Sequence, residues 1–394
     1  MDSCSRASGP PTERAARSRC RLHQRGDSTL AEESRHGLTV GASRRTFPPA
    51  AMPSPVTDSG LQLEFLRDAS TPTPGRHPLA VVVHDQLGGP ITSALTVRPR
   101  LAALTPDAPA ELWSTAEPAQ HDEDLGFRLA WTDDVLFGAA ELDGDDLEDS
   151  ARRVYRALIE IIETRGYPHL LRVWNVVPRI GAPAPGGSRL DRYMLFCRGR
   201  AATFESAYGS GFEARLCAGT AVGSDSGPLS VWFIASPTEG EHRENPRQVE
   251  AYRYPKRYGP QPPAFARATL APVALGTGLF VSGTASVVGS HSMHPGDLEA
   301  QVEETLRNIG ALIGSDDAPE AEDVPYLRVY VRHAGDVAAI RARLAPYACG
   351  GTQVTYLRAD ICRPELLVEI EGLARHRREP SQLRRRTDAG LHEG

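Results

Sequence analysis

DDLEDSARRVYRALIEIIETRG, residues 145–166, and GDLEAQVEETLRNIGALIG, residues 296–314, are the stretches that decide the fold. In the first, Val154, Leu158, Ile161 and Ile162 fall on one face of a helix; in the second, Val302, Leu306, Ile309 and Ile313 do the same. Asp146 and Asp297 stand where N-caps are needed, with carboxylates following in the first turn. A helix with a single apolar stripe has to lie against another layer. The flanking residues supply it. Leu136-Phe137-Gly138-Ala139-Ala140 and LLRVWNVV (170–177) bracket the first helix; Leu279-Phe280-Val281-Ser282-Gly283 and YLRVYV (326–331) bracket the second. Each unit reads strand, turn, helix, strand. The expected fold class is α+β, with two tandem units of mixed sheet packed against helices. A small-molecule cleft is expected where they meet.

Outward from these units the chain has 394 residues, enough for two ordinary domains. The Pro- and Gly-rich run GAPAPGGSR, residues 181–189, is the expected join. It separates a domain over 60–180 from a second over 190–373. Residues 1–51 are rich in Arg, Ser and Pro without an apolar run, and read as a disordered leader or an upstream extension, with Met52 heading a second possible start. Residues 376–394 read as a disordered tail. The polar loop 237–248 is long enough to carry function.

A net charge of −6 gives no basic face for nucleic acid. No run of roughly 18 apolar residues suggests a membrane helix. The six cysteines form no C-x-x-C pair and no zinc spacing, so free thiols in a reducing cytoplasm and no metal site are expected.

Three segments carry the candidate chemistry. In DICRPELLVEIE (360–371), Leu367, Glu369 and Glu371 alternate with Leu366, Val368 and Ile370, as in a strand. Glu369 is then either part of the wet face of an edge strand or a desolvated acid facing a cleft, with a raised pKa. RYMLFCRGRAATFE (192–205) mixes aromatic residues with Arg192, Arg198 and Arg200, whose guanidinium forks suit carboxylates or surface ion pairs. NPRQVEAYRYPKRYG (245–259) combines Arg247, Arg253 and Arg257 with Tyr252, Tyr254 and Tyr258, and reads as a loop walling a pocket for a small anionic ring. His84, in VVVHD, reads as a satisfied strand histidine, and His291 and His294 lack a nearby third metal ligand.

The second unit, with GTASVVG (283–289) and the terminal LLVEIE, is similar to the RidA/YjgF family of trimeric α+β proteins. Small members deaminate imines and use an Arg shortly before the Glu strand. Here Tyr347 to Tyr356 contains none. Over residues 60–373 the chain resembles the chorismatases, on the ordered runs WNVVPRI, RYMLFCRGRAATFE, NPRQVEAYRYPKRYGPQPPAFARA, LFVSGTASVVG and DICRPELLVEIE. That resemblance implies two RidA/YjgF-like units, with a monomer or a homotrimer as the assembly. It implies removal of pyruvate from chorismate without a cofactor. Glu369 would be the acid. Arg192, Arg200, Arg253 and Arg328 would be carboxylate anchors, and Tyr193 and Tyr208 would shape the ring pocket. Seven residues before the Glu, Cys362 is similar to the members that form 3-hydroxybenzoate, some of which also release 4-hydroxybenzoate. Ala285 is similar to the hydrolytic members, which form a dihydroxycyclohexadiene carboxylate. The competing expectations are an imine deaminase and a non-catalytic metabolite-binding protein.

Overall fold

The computed structural model describes residues 60–375, apart from 67–72, 85–93, 106–109, 188, 272–277, 315–323 and 349–351. The leader and tail expected from the sequence lie outside these residues. Four strands come first: β1 (Gln62–Leu66), β2 (His77–Val83), β3 (Leu95–Val97) and β4 (Ala110–Thr115). They form a sheet of their own in the order β1-β4-β2-β3.

The first repeat follows as β5 (Gln120–Asp124), β6 (Phe127–Trp131), β7 (Leu136–Leu142), α1 (Leu147–Thr164), β8 (His169–Pro178), α2 (Arg192–Tyr208), β9 (Ala218–Ser224) and β10 (Leu229–Ser236). The second is β11 (Glu241–Arg243), β12 (Ala268–Ala271), β13 (Gly278–Ala285), the hairpin β14 (Val287–Val288) and β15 (His291–Ser292), α3 (Leu298–Ile313), β16 (Tyr326–Val331), α4 (Val337–Leu344), β17 (Gln353–Arg358) and β18 (Val368–Arg375).

The strand orders are β5-β6-β7-β10-β8-β9 and β11-β12-β13-β18-β16-β17. The two sheets have one topology. In each, three strands meander, the last strand inserts beside the third, and the pair beyond it is parallel (β8 with β9, β16 with β17). The α+β class and the tandem units expected from the sequence are therefore present. The join is not where Pro and Gly placed it. Residues 181–189 connect β8 to α2 inside the first repeat, because β9 and β10 return to complete that sheet. The chain crosses to the second sheet between Ser236 and Glu241. Strands β1 to β4, which lie within the expected first unit, form the separate four-stranded sheet instead.

The caps are as expected. Asp146 accepts from the Asp149 N–H and Asp297 from the Ala300 N–H, each at 3.1 Å. The α1 stripe is fully buried. That of α3 is buried except for Ile313, which is partly exposed, while Leu312 turns inward. Alternation along β10 separates two cores: Val231, Phe233 and Ala235 pack under α1 and α2, and Trp232 and Ile234 face the other sheets. Residues of all three sheets meet in that second core, around Trp113, Trp174, Trp232 and Phe280.

An ion cluster ties the sheets together. Arg328 of β16 forks onto Glu111 of β4 and also reaches Glu371 of β18 at 2.5 Å. Arg172 and Trp174 of β8 bind the same Glu371 at 2.7 and 2.8 Å. His84 donates from Nε2 to Glu111 Oε1 at 2.8 Å. Burial pulls the Glu111 carboxyl upward, but the charge of Arg328 and the bond from His84 outweigh it and bring it down to about 2. Arg328, expected as a substrate anchor, is therefore committed to Glu111 and Glu371 inside the fold.

Candidate active site

The two repeats meet where β9 runs beside β12 and β13. Ala218 N–H donates to Thr269 Oγ1 (2.8 Å), Gly219 N–H to Ser282 Oγ (2.9 Å), and Gly283 N–H to Thr220 Oγ1 (2.9 Å). Beside this seam lies a cavity of about 270 Å³, a size suited to one small ring compound. Helix α2 supplies one wall. Asp191 caps it by accepting from the Met194 N–H at 2.7 Å, and Tyr193, Cys197 and Arg200, at i, i+4 and i+7, present one stripe to the cavity. The helix can sit close to α1 because residue 199 is Gly; a Cβ there would overlap the backbone carbonyl of Glu148.

Glu369 enters from β18. This strand lies between β13 and β16, so both its faces are buried, and the wet edge-strand reading is excluded. The carboxyl is 5% exposed and opens onto the cavity. It occupies the space left by Gly283, where a methyl group would overlap it. Burial and then the neighbouring Glu371 raise its pKa to about 8; Arg172, Arg267 and Arg332 oppose the rise. Such a group keeps its proton at neutral pH and can give it to a bound molecule.

Cys362 and Ala285 also line the cavity. Arg332 holds the Cys362 loop by donating to the carbonyls of Ile361, Arg363 and Leu366 at 2.7–2.9 Å. The thiols of Cys197 and Cys362 are both pushed up to about 12, in each case chiefly by burial, so both are neutral small apolar groups.

Two cavity arginines are buried. Arg200 is 3% exposed and rests over the rings of Tyr155 and Phe204, at 5.0 and 5.8 Å. Arg267 is 4% exposed and donates to Tyr254 OH at 2.6 Å and Val249 O at 3.0 Å. Among the described residues neither forms an ion pair, and the Nε of each has no hydrogen-bond partner. A buried cation without an anion is costly unless a ligand brings the anion.

Of the residues singled out from the sequence, the structure brings together Glu369, Cys362, Tyr193, Arg200 and Ala285. It places four elsewhere. Arg192 turns back to donate to Pro178 O at 2.7 Å. Tyr208 reaches Glu163 on α1. Arg253 is two-thirds exposed, beside Glu250. Arg328 is in the central ion cluster. Sequence reasoning missed Arg267, Thr220, Gly283 and Arg363, all at the cavity. Tyr254, Arg257 and Tyr258 were legible as a pocket wall, yet Arg253 was preferred among the arginines of that loop.

Comparisons with known proteins give the family. A family model described as Chorismatase FkbO/Hyg5-like, N-terminal, matches residues 111–235. A chorismatase of Streptomyces rapamycinicus is 36% identical over 339 residues, covering 82% of this chain and 99% of that protein. A 3-hydroxybenzoate synthase of Streptomyces hygroscopicus is 36% identical over 292 residues, covering 69% and 83%. A chorismatase crystal structure at 1.08 Å resolution superposes with a TM-score of 0.71 at 30% identity, covering 80% of this chain and 99% of the other. On that identity and coverage, added to a buried acid and two buried arginines in one cavity, this chain belongs to the chorismatase family.

Proposed function

We propose that the protein removes pyruvate from chorismate, with 3-hydroxybenzoate as the main ring product and 4-hydroxybenzoate as a minor one. The observation that carries this reading is the pairing, in one cavity, of a buried carboxyl whose pKa is raised with two buried arginines that form no ion pair among the described residues. Chorismate has two carboxylates and an acid-labile enolpyruvyl ether. Arg200 and Arg267 hold carboxylates, and Glu369 protonates the methylene carbon of the ether. The alkene electron pair forms the new C–H bond, and the ether oxygen stabilises the resulting oxocarbenium ion.

The products differ in where pyruvate gets its carbonyl oxygen. If water supplies it, the ring keeps both its oxygens and leaves as the diol. Hydroxybenzoates form with no net water. For the 3-isomer, the ring hydroxyl oxygen adds to the cation, its bond to the ring breaks, the hydrogen on the ether-bearing ring carbon leaves as a proton that restores Glu369, and the ether oxygen stays on the ring. For the 4-isomer, the ether oxygen leaves with pyruvate. The water-free routes need a dry cation, and the neutral Cys362 thiol beside Glu369 fills space that a water would otherwise take.

Incubation with chorismate and chromatography of the products tests the reading. Pyruvate with 3-hydroxybenzoate is expected; pyruvate with the diol would replace the product assignment, and no pyruvate would overturn the reaction. Cys362→Ala is expected to raise the diol-to-hydroxybenzoate ratio about tenfold, the equivalent of about 1.4 kcal/mol between competing barriers. An unchanged ratio would remove Cys362 from the branch.

The acid also sets a pH profile. Glu369 works only with its proton on, and its pKa is raised to about 8. Activity is thus present below that value and lost above it. In the free enzyme, kcat/KM is expected to fall tenfold per pH unit above about 8. A bound dianion disfavours ionisation further, so the kcat limb should lie at higher pH. A flat kcat/KM between pH 7 and 10 would be incompatible with this acid.

A further inference from the structure

One wall of the cavity is a stack in which guanidinium groups and phenol rings alternate. Arg267 lies 5.4 Å over the ring of Tyr254. Arg363 lies over Tyr254 at 5.1 Å and over Tyr258 at 3.8 Å. Arg257 lies 4.8 Å over Tyr258. The order Arg267, Tyr254, Arg363, Tyr258, Arg257 runs from a buried cation, through a half-buried one, to an exposed one.

The hydrogen bonds of these arginines go to hydroxyl, carbonyl and imidazole groups. Arg257 meets Ser290 Oγ at 3.0 Å and His291 Nε2 at 2.9 Å. Arg363 donates to Ser290 O and Ser292 Oγ at 3.0 and 3.1 Å. Among the described residues no carboxylate forms an ion pair with any of the three. Glu244 is within electrostatic reach of Arg267, but burial raises its carboxyl to about 7, and no hydrogen bond joins them. Three like charges in a row repel one another. The ring faces hold each guanidinium by cation–π attraction without neutralising it. The chain as a whole has a net charge of −6, so this is a local concentration of positive charge on an acidic protein. A carboxylate buried in the cavity gains little from a guanidinium at the surface. An anion in transit does, because it exchanges one cation for the next; Glu365, a carboxylate of the same cavity, accepts from Ser292 Oγ at 2.6 Å and forms an ion pair with none of the three arginines.

We propose that this stack is an entry track for the dianionic substrate: Arg257 captures a carboxylate at the surface, Arg363 passes it inward and Arg267 retains it. The proposal rests on the functional reading above and adds the route by which the substrate reaches the acid. Charge capture of this kind speeds association and is lost in salt.

The test compares the full-length protein with Arg257→Gln and with Arg153→Gln, whose arginine is on the exposed face of α1 with 60% side-chain exposure. Turnover of chorismate is followed between about 0.01 and 1 M ionic strength, across which the screening length falls from about 30 to about 3 Å. The parent and Arg153→Gln should share a kcat/KM that falls with salt. Arg257→Gln should start about tenfold lower, show little salt dependence and keep its kcat. Arg363→Met, which keeps a side chain against both rings, should follow Arg257→Gln. If Arg257→Gln has the parental kcat/KM and salt slope, the track is wrong. A parent that releases no pyruvate would refute the functional reading instead. The track would then be judged by the stopped-flow association rate of benzene-1,3-dicarboxylate: slower, salt-insensitive association in Arg257→Gln than in the parent would support it, and a parental rate or undetectable association would overturn it.

Discussion

Glu369→Gln is expected to lower kcat on chorismate by about 10²–10⁴-fold while leaving the melting temperature and the affinity for chorismate close to those of the parent. The argument for the loss is chemical: a carboxamide has the shape of the acid but no proton to give to carbon. The argument for intact folding is electrostatic. With a pKa of about 8, Glu369 is mostly neutral at pH 7, so the amide replaces one neutral group by another of the same size. Affinity is retained because the carboxylate anchors are arginines on other elements. The decisive measurements are single-turnover pyruvate release, thermal melting and calorimetric binding on one sample. A kcat within tenfold of the parent would dispose of the acid role. Gly283→Ala offers an independent check. Its methyl would overlap the carboxyl, so it should reduce turnover by displacing the acid while leaving the glutamate in the sequence.

The sequence revealed the repeats because local physics writes them. Helix stripes and N-caps involve neighbours within a few turns, and both repeats carry the same ones. Periodicity also showed that Glu369 and Glu371 share a strand face. It could not show that β18 inserts between β13 and β16, since pairing partners nearly 100 residues away decide whether a strand is central. The N-terminal sheet escaped notice for a similar reason. Its strands are short, LTV being the shortest, and their burial depends on the core formed with the two later sheets. The arginines were hardest to sort. A sequence displays cations but not what neutralises them. Arg328 meets Glu111, 217 residues earlier. Arg192 meets a backbone carbonyl. Among the described residues Arg200 and Arg267 form no ion pair, and only the folded structure displays that.

Arg200→Met is expected to stabilise the unliganded protein and to raise KM for chorismate by about 10²–10³-fold. Arg200 carries a charge at 3% exposure with no counter-ion among the described residues and an Nε without a partner. Desolvating that charge works against folding. Methionine keeps an unbranched apolar chain against Tyr155 and Phe204 and removes the charge, so unfolding should require about 1–3 kcal/mol more, by analogy with other replacements of buried charge by apolar groups. Binding responds in the opposite sense. Removing one member of a buried, hydrogen-bonded charge pair costs about 2–5 kcal/mol, because the substrate carboxylate is then desolvated without a cation. Arg328→Met is the matched control. It removes an equally buried arginine that already has two protein carboxylates, leaving Glu111 without a guanidinium and Glu371 with Arg172 alone, and should destabilise by about 3–5 kcal/mol. Denaturant midpoints and KM measured for both variants separate the two roles. If Arg200→Met lost stability while keeping the parental KM, Arg200 would be a structural cation like Arg328, and the carboxylate anchor would have to be sought elsewhere in the cavity.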